Sequence, residues 1–193
     1  VTGVQTCALP IFYNYLYFHM IPGPETIHSG QRRIQPGQYV HFRGGRTTLG
    51  SYWTMRFVED TQRPFPELRT EFLEAIESSV REQVRDDHVG TFLSGGTDSS
   101  TLAGMLGRVT GQPARTYSIG FEAQGFDEMD YARIAARHFS TDHHEYYVTP
   151  DDIVDAVPRI AAAYDQPFGN SSAVPTYYCA RMARADGVTR LLE

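Results

Sequence analysis

The chain has 193 residues, 41% hydrophobic and 12% aromatic, with a formal net charge of −6; this suits one or two folded domains with roughly 70% of the unfolded surface buried, and excludes a disordered chain. No run of basic residues offers a footprint for nucleic acid or an anionic membrane, and no apolar run is long enough to span a bilayer. All 17 basic residues are arginine, which removes Schiff-base lysine chemistry and the lysine-dependent GxxxxGKS/T phosphate loop.

The first stretch, VTGVQTCALPI from Val1 to Ile11, has an apolar middle but lacks the basic start of a secretory signal. It resembles the in-frame translation of a common sequencing-adapter oligonucleotide and is excluded from the fold reading as non-native. Cys179 is then the one native cysteine, which permits no internal disulfide and suits a reducing cytoplasm. Residues 12–63 are tyrosine-rich, β-prone and broken by turn residues; QYVHF, between Pro36-Gly37 and Gly44-Gly45, predicts a strand. The character changes near Pro64. FPELRTEFLEAIESSVREQVRDD places Leu68, Phe72, Ala75/Ile76 and Val80 on one helical face.

From there strands and helices alternate. VGTFL predicts a buried strand, and STLAGMLGRV a helix with Leu102, Met105/Leu106 and Val109 on one face. ARTYSIGF is a strand, DEMDYARIAARHF a helix capped by Asp127, and HEYYV a strand. PDDIVDAVPRIAAAYD is a helix with Pro150 in its first turn, and Pro158 is expected to kink or divide it. PTYYCARMARAD is a further helix and GVTRLL a last apolar strand. This alternation predicts an α/β fold, a parallel sheet with helices on both faces.

Between VGTFL and its helix lies Ser94-Gly95-Gly96-Thr97-Asp98-Ser99-Ser100. In open α/β sheets ligands bind outside the carboxyl ends of the strands, where this loop lies. Two glycines let the backbone approach a phosphate, and backbone N–H groups and serine hydroxyls can donate to its oxygens at the positive end of a helix. An aspartate in an anion site makes sense as the ligand of a Mg²⁺ ion shared with the nucleotide. A Gly-Gly turn with one helix cap needs a single polar residue, and this loop has five.

SGGTDSS resembles the pyrophosphate loop of the ATP pyrophosphatase superfamily. Together with YLYFHMIPGPETIHSGQRRIQPGQYV, YSIGF, YARIAARHFSTDHHEYYV and AAYDQPFGNSSAVPTYYCARMARADGVTRLL, it resembles the glutamine-hydrolysing asparagine synthetases of the bacterial B type, from about Tyr13 to Leu192. The resemblance implies an adenine-nucleotide alpha-hydrolase-like, Rossmann-like fold, with residues 12–63 the tail of an N-terminal nucleophile glutaminase domain and 64–193 the first part of the synthetase domain. It implies ATP and Mg²⁺ as cofactors, and aspartate and glutamine-derived ammonia as small-molecule substrates. By that resemblance Leu93, Ser94, Gly95, Gly96, Thr97, Asp98, Ser99 and Ser100 line the ATP phosphates. Asp98 is a Mg²⁺ ligand, and the backbone of Ile119 and Gly120 contacts the adenosine. The family's initiating cysteine, its second acidic GDGGDE-type loop and its catalytic lysine have no counterpart here, so the chain is expected to be an inactive fragment of a cytoplasmic enzyme. A homodimer of the full-length protein is left open.

Other signals carry less. HFSTDHHE, with His138, His143, His144 and Glu145, is not HExxH, and reads as a surface turn before a strand rather than a zinc site. Asp127-Glu128 reads as a cap, Cys179 as core, and Tyr13/Tyr15/Tyr17 and Tyr177/Tyr178 as packing. Asp165 stays open between solvation at a helix end and a polar contact in the site. Two rivals remain: another carboxylate-adenylating amidotransferase, such as a β-lactam synthetase-like enzyme, and a non-catalytic nucleotide-binding remnant.

Overall fold

A computed structural model describes residues 9–59, 62–121 and 127–193. The chain divides into two compact units, one of residues 1–61 with 161–170, the other of residues 62–160 with 171–193.

In the first unit, α1 (Leu9–Phe18) is a helix, against the β-prone character of its tyrosine-rich text. Tyr13 and Tyr17, one helical turn apart, stack with centroids 6.2 Å apart, and Tyr17 meets Phe18 edge-on at 4.8 Å. Aromatic residues are only slightly poor helix formers, and ring pairs at i,i+4 offset that deficit. The helix also runs across the boundary between Ile11 and Phe12. The strand expected at QYVHF is β1 (Gln38–Arg43), paired antiparallel with β2 (Arg46–Ser51). Gly44 and Gly45 join them with φ of 57° and 75°, the pair of positive values that a two-residue hairpin turn requires. Residues 161–170 return to this unit: Gly169 N–H donates to the His19 carbonyl at 2.8 Å, and Ile27 N–H to Gln166 Oε1 at 3.0 Å.

The second unit holds α2 (Phe65–Gln83), β3 (Val89–Phe92), α3 (Thr97–Thr110), β4 (Arg115–Phe121), α4 (Met129–Phe139), β5 (Asp142–Val148), α5 (Pro150–Ala163, whose last turn belongs to the first unit), α6 (Ala173–Ala185) and β6 (Arg190–Leu192). The strands form a parallel sheet in the order β5-β4-β3-β6. The chain therefore steps outward from β3 to β5 and then crosses to the other side of β3, which makes a switch point there.

Side-chain alternation sorts the helices onto the two faces. Val89 and Leu192 pack with Val80, Met105 and Leu106, and Leu93 with Ala103, Met129 and Ala132, so α2, α3 and α4 cover one face. Tyr117 packs with Cys179 and Ala183, and Val148 with Ala156 and Tyr178, so α5 and α6 cover the other. The parallel sheet with helices on both faces is as the alternation predicted. Two buried hydroxyls of the sheet find carbonyl acceptors: Thr91 Oγ1 donates to the Leu192 carbonyl at 3.0 Å, and Ser118 Oγ to the Leu93 carbonyl.

Two boundaries differ from expectation. Thr97, Asp98, Ser99 and Ser100 are the first turn of α3 rather than loop, because the N–H of Ser100 already reaches the Gly96 carbonyl at 3.1 Å. Pro158 does not divide α5, which runs through it; a proline there forgoes the hydrogen bond its missing N–H would make one turn back.

Thr149 and Asp152 start α5 with a reciprocal capping box. Asp152 N–H donates to Thr149 Oγ1 at 3.2 Å, while Thr149 N–H and Oγ1 both reach Asp152 Oδ2 at 2.9 Å. Tyr146 and Tyr178 hydroxyls also donate to this carboxylate, at 3.0 and 3.2 Å. These bonds, the Thr149 backbone donor first, hold Asp152 below its ordinary carboxylate range. Such a group stabilises the fold above its unfolded pKa and stops doing so as pH falls through the depressed folded value. Thr149→Ala should cost about 1 kcal/mol in urea denaturation at neutral pH. The gap from wild type should narrow as pH falls below the ordinary aspartate range, where Asp152 takes up its proton.

Candidate functional site

At the carboxyl ends of β3 and β4 a cavity of about 580 Å³ opens, within the size range of small-molecule sites. Its walls come from the turn after β3, the end of β4, and the first turns of α3, α4 and α6.

The turn after β3 builds one wall. Gly95 has φ +82°, and a Cβ on it would sit 2.4 Å from the Tyr131 carbonyl carbon and 2.5 Å from the Ala132 nitrogen. A side chain is thus excluded twice, by conformation and by the backbone of α4. Beyond it Gly96 occupies the N-cap of α3 in an extended conformation, and no side chain among the described residues caps the helix. The N–H groups of Thr97, Asp98 and Ser99 therefore keep the unsatisfied donor character of a helix start. The serines brace the turn: Ser94 N–H donates to Ser99 Oγ at 3.2 Å, the two hydroxyls share a 3.0 Å hydrogen bond, and Gly96 N–H donates to Ser94 Oγ at 3.3 Å. Together with the Ser118 bond to the Leu93 carbonyl, this network ties the turn to β4 and α3.

Leu93, Ser94, Gly96, Thr97, Asp98, Ser99 and Ile119 line the cavity, as do Glu128, Met129 and Ala132 of the α4 start and Ser172, Pro175, Thr176 and Cys179 of the α6 start. Three of the residues singled out from sequence stand back from it. Gly95 packs beneath the turn and Ser100 follows in α3. Gly120 lies under the Tyr147 ring, which a Cβ would approach to 2.5 Å.

The Asp98 carboxylate borders the cavity within the first turn of α3, with no hydrogen bond or ion pair among the described residues. A carboxylate beside helix N–H donors suits an oxygen-ligated cation, so Asp98 is a residue that could hold Mg²⁺. Cys179 borders the same cavity, but burial first, then the Glu193 carboxylate, push its thiol up to about 12, far from a nucleophilic thiolate.

Sequence reasoning missed Glu128 and the α6 start, because they reach the cavity only through the crossovers. The apolar run of α6 gave no local sign of Thr176. Asp127, expected as the α4 cap, sits one residue before the N-cap Glu128, and its Oδ1 accepts the Met129 N–H at 3.2 Å. Asp165 belongs to residues 161–170 of the other unit.

The histidine cluster separates across β5. His143 faces α4, its Nδ1 2.9 Å from Thr116 Oγ1, and burial lowers its pKa below the ordinary imidazole value. His144 faces α6, stacked on Tyr117 at 5.1 Å with its Nδ1 3.3 Å from Asp186. Glu145 pairs with Arg133 at 2.6 and 2.9 Å, which holds its pKa below the usual carboxylate value. Cys179 and Tyr178 are buried as their core reading anticipated, whereas Tyr13 and Tyr17 stack on an exposed face of α1.

Comparison with known proteins bears on the whole unit. The profile of the family described as asparagine synthase matches residues 71–193. A Bacillus subtilis protein, glutamine-hydrolyzing asparagine synthetase 1, is 31% identical over 172 residues, 88% of this chain and 27% of its own length. The glutamine-hydrolyzing asparagine synthetase 3 of the same organism is 28% identical over 158 residues, 73% of this chain and 25% of its own. A solved structure of NMN synthetase from Francisella tularensis superposes with a TM-score of 0.43 and 15% identity, covering 63% of this chain and 52% of that one. The chain thus spans about a quarter of the length of these Bacillus relatives.

The two roles of Gly95 can be separated. Gly95→Ala should lose about 3 kcal/mol, from the left-handed strain and the backbone clash together. Gly111→Ala, at φ +70° with open space around it, should lose about 1 kcal/mol from strain alone. Urea midpoints of the two variants check the difference.

Proposed function

Because the chain belongs to the asparagine synthase family, we propose that it carries the ATP-binding part of an ATP-dependent amide ligase. The intact enzyme adenylates the side-chain carboxylate of aspartate: a carboxylate oxygen bonds to the α-phosphorus of ATP and pyrophosphate leaves. Ammonia derived from glutamine then attacks the acyl carbon, giving asparagine and AMP. Residues 12–63 are proposed as the tail of a glutaminase domain and residues 64–193 as the start of the synthetase domain.

One observation carries this reading: the uncapped N-terminus of α3 opens into a cavity rimmed by Ser94, Ser99 and Asp98, which has no partner among the described residues. In the proposed complex the N–H groups of Thr97, Asp98 and Ser99, with the serine hydroxyls, bind the polyphosphate and stabilise the charge that builds on departing pyrophosphate. Mg²⁺ on Asp98, when bound, supplies neutralisation of the polyphosphate. Ile119 offers its side of the cavity to the adenosine, while Gly120 next to it stands back and makes room for the Tyr147 ring. Leu93, Gly95 and Ser100 support the turn that presents these groups.

ATP with Mg²⁺ at about 100 times its Kd should stabilise the chain by about 2.7 kcal/mol against unfolding. ATP with EDTA should stabilise it far less. Asp98→Ala should fold as wild type does by circular dichroism and lose the Mg²⁺-dependent part of the gain. A folded wild-type chain whose unfolding midpoint ignores Mg²⁺-ATP would contradict the assignment.

A further inference from the structure

We infer that Tyr147 and Asp127 are positioning residues for the nucleotide wall of the cavity, acting through the N-terminus of α4; the inference rests on the nucleotide reading above. Glu128, the N-cap of α4, makes no side-chain cap hydrogen bond and borders the cavity. The capping role passes to Asp127, whose Oδ1 takes the Met129 N–H at 3.2 Å. Its Oδ2 accepts the Tyr147 hydroxyl at 3.3 Å. Glu128 is thereby left to face the cavity, and the first turn of α4 is tied to β5.

The ring and the hydroxyl of Tyr147 have separate tasks. The ring packs against the cluster of Leu93, Ala103, Met129 and Ala132, and lies where a Cβ on Gly120 would be 2.5 Å away. Phenylalanine would serve that packing equally well, so it does not account for the hydroxyl. The hydroxyl reaches Asp127.

The first turn of α4 also meets the turn after β3. The backbone of Tyr131 and Ala132 leaves no room for a Cβ on Gly95. The start of α4 is therefore held at two places, against Gly95 and by Asp127 with Tyr147. Releasing the Tyr147 bond frees Glu128, Met129 and Ala132, which line the cavity, and slackens the support beneath the turn. The expected consequence is weaker binding of a nucleoside triphosphate with its divalent cation, although neither residue touches the ligand.

Tyr147→Phe in the whole chain tests this, with Mg²⁺-ATP as the probe. Loss of one hydrogen bond of this kind predicts about fivefold weaker binding. Amide hydrogen exchange should quicken in residues 129–132 and stay unchanged in residues 142–148, a pattern that loss of ring packing would not give. Asp127→Ala should weaken binding at least as much, and adding Tyr147→Phe to it should change binding no further, since the two act as one unit. Exchange of residues 129–132 unaltered by Tyr147→Phe would overturn the clamp, whatever the nucleotide result. Wild-type binding of Mg²⁺-ATP with fully additive losses in the double variant would overturn coupling through Asp127 and leave the nucleotide site standing. A wild-type chain that ignores Mg²⁺-ATP would remove the nucleotide role along with the reading it rests on, while the exchange pattern still decides the clamp.

Discussion

Gly95 turns the chain out of β3 in a left-handed conformation pressed against the backbone of Tyr131 and Ala132, and the geometry of the cavity depends on that contact. The turn must be tight enough for α3 to begin at Thr97, immediately beyond the buried strand. It must also let α4 approach closely enough to form the adjoining wall. A residue with a Cβ would have to move one of these two backbones, and both line the same cavity. Gly96 then leaves the start of α3 uncapped, so the donors at that helix end are available to a ligand rather than spent on a neighbouring side chain.

Around this constraint the sheet supplies rigidity. Thr91 bonds across to Leu192 and Ser118 to Leu93, and these two hydroxyls lock the strand ends from which the cavity is built. The two helical layers meet the sheet differently. On the side of α3 and α4 the contacts near the cavity are small, with Ala103, Ala132, Ala135 and Ala136 allowing close helix approach. On the side of α5 and α6 they are aromatic, with Tyr146 stacked on Tyr178 at 5.3 Å and both phenols donating to Asp152. The wall formed by α4 is therefore set by close backbone packing, and the wall formed by α6 by rings and a capping carboxylate.

Much of this was legible in the sequence, and the parts that were not share a cause. Apolar strands alternating with amphipathic helices announced the parallel sheet, and Leu102, Met105/Leu106 and Val109 lie on the face of α3 that meets the core. SGGTDSS stood out because glycine and hydroxyl residues have little reason to follow a buried strand unless the turn is tight or binds something. The helical α1 was not legible, since its aromatic text satisfies strand and helix preferences alike; the stacking of Tyr13 on Tyr17 one turn apart is a contact that only the helix makes. Nor were Glu128, Thr176 and the true reason for Gly120. Periodicity reports which face of an element is buried, not which distant element arrives there, and the ring over Gly120 comes from another strand.

The most direct test of the account is an amide-resolved NMR titration of the chain with Mg²⁺-ATP. The account predicts the largest shifts at the amides of Gly95 to Ser100 and at Ile119, with smaller ones at Met129 to Ala132. Shifts concentrated at the opposite ends of the strands, around His88 and Ala114, or an absence of shifts in the turn at saturating nucleotide, would contradict it.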